Sequence, residues 1–152
     1  MKSPAAGIPK NESNYKVTRF RNKVRSSEGI PMRRLMRVLL GVETASFFLA
    51  AMIHAGVLIS GYEHHEAMIA ESVIGTVLLG GLVITLLHSR SMFTTAIIVQ
   101  AFALLGTLVG IFTIIIGIGP RTVPDIAYHV SIVIVLAVGL GLARRGRRTE
   151  TI

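Results

Sequence analysis

The stretch from Glu43 to Glu71 reads ETASFFLAAMIHAGVLISGYEHHEAMIAE, and its reading decides the fold. An apolar run carrying Glu43 and His54 ends at Gly61-Tyr62. The polar turn Glu63-His64-His65-Glu66 follows, and a second apolar run opens at Ala67 with Glu71 inside it. Runs of this length match the ~20 residues that cross ~30 Å of hydrocarbon as a helix. Ionisable side chains are costly at that depth, so each one is a functional candidate. A turn this short returns the second helix antiparallel beside the first.

Outward from this hairpin the pattern repeats. Of the 152 residues, 51% are hydrophobic, and they gather into four blocks rather than spreading as in a soluble core. The expected spans are 35–60, 67–88, 92–118 and 126–143. Their number and their short turns predict an all-α, polytopic membrane protein, with four transmembrane helices in an up-down bundle. The turn between the second and third spans is His88-Ser-Arg90-Ser. Gly106-x-x-x-Gly110 in the third span suggests a packing face. Between the third and fourth spans lies a Gly/Pro connection. Its Pro124-Asp125 reads as a helix start, with acid at the positive end of the dipole.

Residues 1–34 form a basic tail with nine Lys or Arg against two Glu. It lacks sustained apolar periodicity and is expected to be disordered. The first apolar run starts too late and runs too long for a cleavable signal peptide. Residues 144–152 form a second basic tail. The formal charge of +8 therefore sits at the two tails and at Arg90, while the turn around Glu63–Glu66 is negative. By the positive-inside rule this predicts a multi-pass protein of the plasma membrane with both termini cytoplasmic. Arg19, Arg21, Lys23 and Arg25 suit anionic lipid at the cytoplasmic face or an acidic partner surface. No nucleic-acid recognition motif accompanies them.

Depth can be reckoned at ~1.5 Å per residue from the boundary near the acidic turn. His54 then lies about 9 Å down, Glu71 about 7 Å and His129 about 6 Å. Three helices thus bring an imidazole or a carboxylate to one level, with His64 and His65 above. Glu43 and His54, eleven residues apart, share a helix face with Phe47 and Ala50 between them. Gln100 falls at the depth of Glu43 and is positioned to hydrogen-bond with it.

Several readings stay open at this cluster. A b-type haem would take His54 and His129 as axial ligands, although closely packed helices leave little room for a porphyrin. A divalent metal would draw on His54, Glu71 and His129, with His64 or His65 from above. A proton or cation path would use Glu43, Glu71, His129 and Gln100, making the chain a proton-coupled transporter of an ion or small molecule. The plainest reading makes these residues interhelical ties in a structural or accessory subunit, bound to other membrane subunits or to copies of itself. The run Ala70-Glu71-Ser72-Val73-Ile74-Gly75-Thr76 is similar to a short stretch of the small multidrug-resistance exporters. That match needs an inserted residue, falls in the second helix rather than the first, and lacks that family's aromatic binding residues. No residue role is carried over from it.

The absence of cysteine excludes disulfides, thiolate metal sites, iron–sulfur clusters and Cys-attached haem. There is no Gly-x-Ser-x-Gly elbow and no phosphate-cradling loop, so the chain is expected not to be an enzyme.

Overall fold

A computed structural model describes the backbone of residues 10–150 and the side chains of residues 18–19 and 32–150. Four helices follow in order: α1 (Lys10–His54), α2 (His65–Leu87), α3 (Met92–Ile116) and α4 (Val123–Glu150). A single 3₁₀ turn, Ser89–Ser91, links α2 to α3. The chain divides into two compact units at Met32 and Arg33, and the second unit, from Arg33 onward, contains the bundle. The expected lipid contacts of Arg21, Lys23 and Arg25 lie outside the described residues.

Among the described residues, four helical segments are long and apolar enough to cross a membrane: Met32–His54, His65–Leu87, Ser89–Ile116 and Val123–Glu150. Their outer faces stay apolar, with Leu49, Val73, Leu87, Leu105 and Ile134 among the exposed side chains. In water such a continuous apolar surface would drive association; in lipid it is matched to its solvent. The expected four-helix membrane protein is the one observed.

Packing follows the up-down order. Gly75 of α2 lets Phe47 and Phe48 of α1 approach, and Gly81 of α2 seats Val99 of α3. Gly106 of α3 lies against Ile74 of α2, Gly110 faces His129 of α4, and Gly146 of α4 lies against Phe93 of α3. The Gly106/Gly110 pair is therefore a packing face, and both its partners are within the chain. Without a hydrophobic force between helices in lipid, such close approach is the main source of association.

The helix ends differ from the expected spans, and glycine explains two of them. The first span was expected to continue to Ser60, but α1 stops at His54. Gly56 takes φ +73°, donates to Ile53 O at 2.9 Å, and is followed by Val57 N–H to Met52 O at 3.1 Å. That pair of bonds is the Schellman cap, which needs a residue comfortable in the left-handed region. α3 ends the same way on Gly117, with φ +90° and Ile118 N–H bonded to Thr113 O at 2.9 Å. At the other extreme, α4 was expected to stop before Arg144 but continues through the arginines to Glu150. Arginine is a good helix former, and cations favour the negative C-terminal end of the dipole.

The end of the bundle at Arg33, Ser89 and Glu150 is tied by arginine. Arg37 donates to Thr85 O at 2.9 Å and Ser89 Oγ at 3.1 Å. Arg33 donates to Ser89 O at 3.2 Å and pairs with Glu150. The opposite end carries the 55–64 and 117–122 loops and is called the two-loop end below.

Candidate functional site

At the two-loop end, α1 finishes on His54, α2 has completed its first turn before Glu71, and α4 begins. These three positions meet. His54 Nδ1 lies 2.8 Å from Glu71 Oε2, and His54 Nε2 lies 3.1 Å from Asp125 Oδ1. All three side chains are buried. One imidazole thus joins carboxyls from two other helices.

Asp125 is held by its own helix start. Thr122 is the N-cap of α4: its Oγ1 accepts from Asp125 N–H at 3.4 Å, and its hydroxyl donates to Asp125 Oδ2. Pro124 sits in the first turn, where its missing N–H costs nothing. Ile126 N–H to Thr122 O, at 3.1 Å, is the first bond of the helix. The expected helix start at Pro124-Asp125 is observed, and its acid is also a site residue.

The protons in this triad can be counted. Each of its two hydrogen bonds needs one hydrogen. A neutral imidazole brings one and an imidazolium brings two. Two hydrogens shared among one imidazole and two carboxyls leave a net charge of −1 wherever they sit (imidazolium with two carboxylates, or imidazole with one acid and one carboxylate). Asp125 has both oxygens engaged. Glu71 Oε1 is the one triad oxygen without a hydrogen-bond partner among the described residues.

Glu71 lines a cavity of about 160 Å³ that runs from Ile74 and Gly106 up to Gly119 and Pro120 at the two-loop end. His129 lines it too. Its Nδ1 lies 2.8 Å from the Asp125 carbonyl and must donate there, so a neutral ring offers Nε2 as an acceptor. A second cavity, of about 340 Å³, lies on the other side of His54, between α1 and α4. Tyr128 lines that one; its ring packs edge-on to Phe47 at 6.3 Å, and its hydroxyl is buried without a hydrogen-bond partner among the described residues.

His64 has a local role. It is the N-cap of α2: its Nδ1 accepts from Ala67 N–H at 3.3 Å, and its Nε2–H donates to Ile118 O at 3.2 Å. It therefore sets the tautomer, starts a helix and clasps the far loop at once. His65 is exposed. Glu63, outside the helices, accepts from Gly61 N–H at 2.9 Å, and that backbone bond holds its carboxyl below the ordinary value.

These positions do not suit the metal or haem readings. His54 has both ring nitrogens on carboxyls, and His64 has both on backbone groups. Among the described residues no three His, Asp or Glu side chains are grouped to hold a metal ion. An axial haem ligand needs a free imidazole nitrogen, and of the expected pair only His129 has one.

Nearer the middle of the bundle, Gln100 Nε2 donates to both oxygens of Glu43, at 3.0 and 3.1 Å. The contact expected from depth alone is present. α4 closes over it at Gly139, where a Cβ would run into Gln100 and come within 2.9 Å of Glu43 Oε1.

Asp125 and Thr122 were not foreseen as site residues. One signal pointed to them: Asp125 lies four residues before His129, so the two share a helix face. Comparison of the chain with protein-family models, with curated proteins and with solved structures finds no match.

Proposed function

We propose that this small integral membrane protein exchanges protons for a small cation at the Glu71–His54–Asp125 triad. The observation that carries this reading is the proton count. The triad needs two hydrogens for its bonds, keeps one negative charge, and leaves Oε1 without a partner on Glu71, a residue that lines a cavity. A buried site with one negative charge and one open acceptor takes up either a proton or a monocation, and the two compete. Glu43, paired with Gln100, is a second carboxyl farther along the same face of α1 and serves as the next station.

The competing reading, an accessory subunit, needs a contact surface for its partners, and the glycines of α2 and α3 are the candidates for close helix approach. Gly75, Gly81, Gly106 and Gly110 are spent inside the bundle and Gly80 has open space beside it; the use of four of the five favours a site over a surface. We orient the two-loop end outward on the Lys/Arg balance of the connections. A reporter active only outside the cell, fused after Ile152, is expected to be silent.

The test is an infrared pH titration of the protein in liposomes. A carboxylic-acid carbonyl band is expected to appear on acidification in the wild type and to be missing in Glu71→Gln. A wild-type spectrum without that band, or a band unchanged in Glu71→Gln, overturns the reading.

A further inference from the structure

The cavity beside Glu71 has polar groups of one kind. Thr107 spends its hydroxyl hydrogen on Ala103 O at 2.8 Å, and Thr113 spends its own on Gly110 O at 2.7 Å. Each keeps lone pairs but no hydrogen to give. His129 gives its Nδ1 hydrogen to Asp125 O, so a neutral ring presents a lone pair on Nε2. His64 has given its Nε2 hydrogen to Ile118 O. Glu71 Oε1 is an acceptor without a partner. Glu66, an exposed carboxylate, lines the cavity as well; no Lys or Arg does, and its remaining walls are apolar.

A cavity that offers acceptors and spends its donors selects a ligand that donates. The negative charge at Glu71 selects a cation. The size is set by comparison: an apolar cavity of about 150 Å³ accommodates a benzene ring, and this one is about 160 Å³ and opens at one end. We infer that the cavity binds a small primary amine with an apolar body of roughly benzene size, its ammonium at the Glu71 carboxylate and its hydrocarbon against Ile74 and Gly106. This rests on the proposed exchange site and names the class of cation it takes. The ionisable groups that line the cavity are Glu71 and Glu66 of α2, His129 of α4 and His64 of the loop, with His54 and Asp125 bonded behind Glu71 in the triad; α3 contributes none.

The experiment is calorimetric titration of the detergent-purified full chain with benzylamine, benzyl alcohol and benzoate, in buffers of differing protonation enthalpy. Benzylamine is expected to bind and to release protons. Benzyl alcohol is expected to bind roughly ten- to a hundredfold more weakly, as for a lost charge-assisted bond, and benzoate not to bind. Glu71→Gln is expected to lose the same factor. Ala70→Phe adds bulk at a residue that lines the cavity and makes none of the triad's bonds, and is expected to block binding while leaving the infrared band of Glu71 intact. Benzoate binding as well as benzylamine, or benzylamine binding equally to Glu71→Gln, overturns the inference. No benzylamine binding in a wild type that shows the Glu71 band also overturns it, and leaves the proton site standing. Benzylamine binding without proton release supports the cavity's ligand class and overturns the exchange.

Discussion

His54→Ala tests the triad most directly. The substitution removes the one group that serves Glu71 on α2 and Asp125 on α4 together. A buried acceptor that loses its partner costs about 1–3 kcal/mol, so two cost roughly 2–6 kcal/mol. Two features reduce this. Interhelical hydrogen bonds in membranes average only ~0.6 kcal/mol, because the separated helices find other partners. The cavity at Glu71 is also large enough for water to reach an orphaned oxygen. The expected loss is therefore near the lower end, about 2–3 kcal/mol. Glu71→Gln behaves differently, because an amide can either donate to His54 Nδ1 or accept from it. That hydrogen bond survives and the expected cost is below ~1 kcal/mol. The assay is unfolding in mixed micelles of rising SDS fraction, followed by helical circular dichroism. Stability of His54→Ala within about 0.5 kcal/mol of wild type, the range of an ordinary surface change, refutes the tie. Equal losses in both variants refute the separation of structural from functional roles.

Two glycines of α4, two positions apart, are expected to respond with opposite sign. At Gly139 a Cβ would come within 2.8 Å of Leu39 Cδ2 and run into Gln100, whereas at Gly141 nothing lies within 4 Å. Gly139→Ala is expected to cost about 1–3 kcal/mol, and Gly141→Ala to stabilise by up to about 1 kcal/mol, in the same micelle assay. Gln100→Leu leaves Glu43 without its donor and is expected to cost about 1–3 kcal/mol. Replacing Glu43 by Leu as well should recover most of that loss, and additive losses in the double variant would count against the pair. Gly56→Ala forces an L residue into the left-handed region and is expected to cost about 1–2 kcal/mol, visible as a less stable α1 terminus by hydrogen exchange.

Hydropathy made the four spans legible, because a membrane span is set by length and composition, which a sequence displays directly. The Glu43–Gln100 contact was legible for a related reason: regular helices convert residue number into depth. Regularity fails at helix ends, and the triad is built at helix ends. The reckoning placed His54 six residues inside a span, whereas Gly56 makes His54 the last residue of α1. An apolar run around a single glycine gives no notice of a left-handed cap, because Val57, Leu58 and Ile59 suit lipid whether or not they are helical. Asp125 was read as a cap, and caps are ordinarily solvated. Its second bond, to a histidine from a different helix, depends on how α1 and α4 meet, which no local pattern encodes.

The position of the triad at helix ends also bears on where the charge sits. His54 stands at the C-terminal end of α1, where the dipole favours a cation, and Asp125 stands in the first turn of α4, where it favours an anion. Both dipoles therefore support the ion-paired arrangement of that bond. Glu71 lies beyond the first turn of α2, where the dipole has largely fallen off. Asp125 has both oxygens occupied, one by His54 and one by Thr122, while Glu71 has one occupied and one open. An added proton or cation thus finds one vacant oxygen, on the carboxyl with the least help from its helix and the nearest access to the cavity. Exchange at Glu71 then follows from the geometry of the other two groups, and substitutions that alter Asp125 or its Thr122 cap should change proton uptake at Glu71 without touching the cavity.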